Sequence, residues 1–333
     1  MIHLKEDFPP GLWFDRAALA LKLPRWIGIC TIGAVPAAVL WYWGIETRIA
    51  TDFTGVPIVS LPLLLTNVVF LLGATHLIRA RILELRDYTV SLGAKPAPNQ
   101  VGLLSGWKGL GAVWAVLIAA TWVVFDPYVF NLYYPPYQEL QRIFVTSYLR
   151  FIQATFLWVL GCAMYLIYKW GKLPIKLKSF TEDKMLGLNT YGRASLLFVS
   201  LYVVAMLLTF PVFVYKGEAV IVSQAIFSLV GLALFLAPLL SLRRKLVRTK
   251  MEKLAWIQKR HSRVMNMIEA AGDGPLDATL VNELAAVDSI KSELQRIRSW
   301  PFDTGIAARL LSVVALPLVV YVLATFLART LSL

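Results

Sequence analysis

Asn67, Arg150, Gln153 and Gln224 are polar side chains lying inside long apolar runs of this 333-residue chain. An arginine facing lipid at depth costs at least a few kcal/mol, so Arg150 requires either a partner or a route to water. Gln153 lies one helical turn from it, and Asp126 and Glu139 stand in the adjoining loop. The plainer alternative is that Arg150 reaches the outer interface and anchors its helix there. Asn67, Gln153 and Gln224 suit the lining of a wet cavity, although bonding between helices is the commoner use of such groups. No Asp or Glu sits near the centre of an apolar run, which argues against a pump built on buried carboxylates.

The loop between 126 and 139 places Tyr128, Tyr133, Tyr134 and Tyr137 beside Pro127, Pro135 and Pro136. Such a loop reads as an outer ligand vestibule or as the aromatic belt of a membrane interface. For enzymatic work the inventory is thin. His3, His76 and His261 are far apart and lack metalloprotease spacing, and neither a nucleophile elbow nor a phosphate-cradling loop is present. Gly106, Gly109 and Gly111 lead into an apolar helix, where close approach of a neighbouring helix is the expected role. Cys30 and Cys162 have no metal-site spacing and cannot form a disulfide framework. The expectation is no catalytic residue, no metal and no cofactor.

The elements that position these residues are set by composition. The chain is 58% hydrophobic and 16% charged, far more apolar than a soluble domain with about a quarter charged residues. Seven stretches approach the ~20 apolar residues needed to cross a bilayer: 26–44, 56–78, 110–125, 144–167, 194–213, 219–241 and 306–327. The third is short and can be extended back into the glycine run. Most Lys and Arg fall in every second connection, nine of them between Arg243 and Arg263. That asymmetry predicts a cytoplasmic N-terminus and an external C-terminus. The net charge of +13 follows this topology, so the expected partner is a bilayer with anionic headgroups on its cytoplasmic side and not nucleic acid.

The fold class expected is therefore all-α, a polytopic bundle of about seven transmembrane helices in a plasma or inner cell membrane. Residues 1–25 read as an interfacial segment, because Trp13, Phe14 and Leu19 stand among Asp15, Arg16 and Lys22. Residues 26–241 form the six-helix region, and 304–333 the final span. Between Ala94 and Gln100 two prolines and an asparagine suggest a flexible connector. In 242–303, apolar residues recur near every 3.5 positions on both sides of Gly272, Asp273, Gly274 and Pro275, which predicts a cytoplasmic antiparallel helical hairpin. Met251, Trp256, Met265 and Met267 lie off its seam and call for a partner, either the protein's own loops or a second subunit of a homo-oligomer.

Seven spans with the N-terminus inside resemble, in topology alone, the inverted seven-helix insect odorant and gustatory receptors, which are ligand-gated cation channels. The resemblance carries over no residue roles. The functional expectation is a non-enzymatic channel or sensor whose hairpin couples subunits or relays helix movement. A secondary transporter with a site near Asn67 and Gln153 is the alternative, and a lipid-modifying enzyme is third.

Overall fold

In the computed structural model the described residues are 12–22, 24–46, 60–129, 136–175, 187–209, 218–270, 278–295 and 300, with isolated positions from 305 to 319. They fold into helices with no strand among them. The order is α1 (Trp13–Ala20), α2 (Arg25–Glu46), α3 (Ser60–Ser91), a 3₁₀ segment (Pro98–Ser105), α4 (Trp107–Val129), α5 (Pro136–Lys172), α6 (Asn189–Thr209), α7 (Glu218–Ala270) and α8 (Ala278–Gln295). Two stretches among the described residues, Ser147–Lys172 and Asn189–Leu208, are helices long and apolar enough to cross a membrane. The seventh expected span lies almost entirely outside the described residues.

The long α5 is the hub of the bundle. It packs against α2, α3, α4, α6, α7 and the 3₁₀ segment, and buries Ile152, Phe156, Val159, Ala163, Ile167 and Trp170. These positions step by three or four residues, so one broad stripe of the helix faces the interior. Small residues let neighbours come close. At Gly109 the Trp158 ring occupies the space a Cβ would need, and at Gly171 the hydroxyl of Ser241 and the side chain of Leu242 do the same. The glycine run thus serves helix approach, and α4 begins at Trp107, inside that run.

The same contact fixes a stagger. The first turn of α4 sits against Trp158, whereas α5 continues from there to Lys172, about 20 Å further at 1.5 Å per residue. The 3₁₀ segment fills that extra length. Leu103 accepts a bond from Trp158 Nε1 at 3.2 Å, and buried Gln100 accepts one from Trp170 Nε1 at 2.7 Å. The stretch that reads as a flexible connector is therefore docked along α5, because an indole N–H buried there needs an acceptor. Gly93, at φ 78, ends α3 and directs the chain into it.

α3 and α6 are tied where one ends and the other starts. Tyr88 donates to the Gly187 carbonyl at 2.6 Å, and the Thr89 and Tyr191 hydroxyls meet at 2.6 Å. α7 is one 53-residue helix containing both the sixth expected span and the first hairpin arm, with Pro238 inside it. α8 runs antiparallel to its second half. Ile257, Val264, Val287 and Leu294 are buried along this pair, and Arg260 meets Glu283 at 2.8 Å while Lys250 reaches the Gln295 carbonyl at 2.8 Å. Met251, Trp256 and Met267 remain exposed.

Candidate functional site

α1 brings a carboxylate into the bundle. Its inward face carries Phe14, Asp15 and Ala18, all buried, while Arg16, Leu19 and Ala20 face outward. Asp15 and the first turn of this short amphipathic helix are held by two neighbours at once. Trp13 donates from Nε1 to Thr155 Oγ1 of α5 at 3.1 Å, and its ring packs on Phe151 at a 5.2 Å centroid separation. Arg79 of α3 donates from Nη1 to Asp15 Oδ2 at 2.6 Å.

His76 and Arg79 lie three residues apart on α3 and so share a face. His76 Nδ1 stands 3.7 Å from Asp15 Oδ1, placing imidazole and guanidinium on the two oxygens of one carboxylate. The Asp15 side chain is 0% exposed, with His76 at 7% and Arg79 at 10%. At such burial a lone charge would be prohibitive, and the charge-assisted bond offsets much of that cost. An acid, a base and a cation in one cluster also suggest proton transfer. The carboxylate ties α1 to α3, and Trp13 in the same turn ties α1 to α5, so the two contacts hold the three helices in one register.

A cleft at the first turn of α1 is bounded by Trp13, Leu104, Ser105, Trp107, Thr155 and Trp158, with room for about one water molecule. It separates the first turn of α1 from the start of α4. Among the described residues no group of three or more His, Cys, Asp or Glu side chains is placed to hold a metal ion.

The residues singled out from the sequence are only partly brought together. Arg150 donates from Nη1 to Gln153 Oε1 at 2.6 Å, so its partner is the neighbour one turn along α5. Asn67 is buried on α3. The side chain of Gln224 on α7 lies outside the described residues, as do those of Tyr128 and Tyr137, whose backbones are helical in α4 and α5; Tyr133 and Tyr134 lie outside altogether. Sequence reasoning did not anticipate the Asp15 contact. Its one available signal was a single acidic residue on the apolar side of an amphipathic segment.

No protein-family model, curated protein or solved structure matches the chain.

Proposed function

We propose that this chain is a multi-pass membrane protein, of seven spans with its N-terminus inside, that acts as a non-enzymatic sensor. In this reading, movement of the helices within the bilayer is relayed to the cytoplasmic hairpin. The observation that carries the reading is the continuity of α7, whose 53 residues run unbroken from an apolar half into a charged half packed on α8. A continuous helix transmits tilt and rotation along its axis, whereas a loop at the same place would absorb them. The docked α1 supports the same reading, since it ties the N-terminal segment to α3 and α5 and leaves fewer independent motions to the bundle. Exposed Met251, Trp256 and Met267 suit coupling between subunits of a homo-oligomer.

The test uses the full chain in bilayers of two thicknesses, with spin labels replacing exposed Asp87 at the end of α3 and exposed Gln258 in the hairpin. The distance distribution between them should shift with thickness. Inserting two glycines after Leu242 should abolish the shift. Identical distributions in both bilayers for the native chain would contradict a relay. Stimulus-gated ion flux into proteoliposomes would select a channel over a sensor.

A further inference from the structure

The exposed apolar surface of α5 and α7 ends in cations. Tyr165 on α5 and Leu229 and Leu240 on α7 are exposed; the chain then presents Lys169 and Lys172 from α5 and Arg243 and Arg244 from α7. The close approach at Gly171, against Ser241 and Leu242, sets the end of α5 beside the middle of α7. None of the four cations is in an ion pair with a carboxylate among the described residues. Further along the same helix the pattern changes, with Arg248 paired to Glu252 at 2.7 Å and Arg260 to Glu283 at 2.8 Å. Two hairpin cations thus have a carboxylate partner, whereas the four where the apolar surface stops have none among the described residues.

Lys172 and Arg244 stand near one another on the two helices. Lys172 Nζ lies 4.2 Å from the Tyr168 ring centroid, and the packing of Gly171 on Ser241 and Leu242 brings the chain at Arg244, two residues on, beside the end of α5. Arg243 is held apart, 4.5 Å over the Trp300 ring. Lys245 is employed within the fold. It donates to the Leu173 carbonyl beyond the end of α5, and burial lowers its pKa. Lys169 lies over its own helix neighbour, 6.0 Å from the Tyr165 ring centroid. Lys172 and Arg244, from different helices, and the Tyr168 phenol at an apolar boundary remain as a set of donors matched to a phosphate.

We propose that Lys172 and Arg244, with the Tyr168 hydroxyl beside Lys172, bind the phosphate of an anionic phospholipid headgroup in the cytoplasmic leaflet. The proposal rests on the membrane reading above. It assigns the cluster a ligand that supplies a negative charge while its acyl chains cover Tyr165 and Leu240. A bound lipid would also bridge α5 to α7 just before α7 enters the hairpin.

The test is native mass spectrometry of the full chain released from nanodiscs of mixed phosphatidylglycerol and phosphatidylcholine. The native chain should retain phosphatidylglycerol preferentially. Lys172→Gln with Arg244→Gln should reduce that preference about thirtyfold, near fivefold for each cation removed. Lys259→Gln with Lys291→Gln, which removes the same charge from the hairpin, should leave it unchanged. Equal loss in the two double variants, or no loss in the first, would overturn the site. Displacement of the lipid by millimolar glycerol phosphate in detergent would also overturn it, by making the ligand a free phosphate. Carbonate washing of vesicles separates the two levels. A chain that stays in the vesicles without headgroup preference contradicts only the site, and one that washes off contradicts the membrane reading.

Discussion

Asp15 and Arg79 are 64 residues apart, yet the 2.6 Å bond between them ties α1 to α3 within the bundle. Asp15→Ala should destabilise the chain by about 3–5 kcal/mol, because it leaves a guanidinium buried without its counter-charge. Asp15→Ala combined with Arg79→Leu should recover most of that loss, since no charge is then stranded. Thermal unfolding of the detergent-solubilised variants checks both, and additive losses in the double variant would mean that the two side chains act independently. This contact was not legible in the sequence, which shows Asp15 only as one charge among the mixed charges of an interfacial segment. Arg150 and Gln153 were legible, because their spacing on one helix brings them together whatever the tertiary fold.

Helices were the most legible level, since apolar runs of the right length leave few alternatives to α structure in a chain this hydrophobic. Their relative heights were not. Nothing local announces that α4 starts against Trp158 while α5 continues to Lys172, or that Gln100 turns back to bond Trp170. The connector between α3 and α4 has the prolines of a loop, and its order comes from long-range hydrogen bonds that no window of sequence contains. The glycine run was legible in kind, as small residues beside an apolar helix, and the structure adds that Trp158 is what they admit. Gly109→Val should therefore force Trp158 away from Gly109 and destabilise the bundle by about 1–3 kcal/mol. Pairing it with Trp158→Ala should relieve the clash, so the double variant should be more stable than the two separate losses predict. Denaturation midpoints of the three variants measure this. A Gly109→Val chain as stable as the native one would remove close packing as the reason for glycine there.

At the scale of the whole molecule an apolar bundle is joined to a docked N-terminal helix and to a charged helical pair built on the continuation of α7. The proposed orientation rests on charge asymmetry in the sequence, which depends on counts per connection and not on contacts. The functional expectation was less legible, since the polar residues within apolar runs are few and Arg150 with Gln153 are the two of them that the described side chains bring together. The central claim is the threading across the lipid, and substituted-cysteine labelling in intact cells tests it most directly. In a background with Cys30→Ser and Cys162→Ala, single cysteines would replace Ser105, Ser262 and Ser332. An impermeant maleimide added outside should label position 332 alone, and positions 105 and 262 should react only after the membrane is opened. Labelling of 262 and 332 from the same side would contradict the threading and with it the relay through α7.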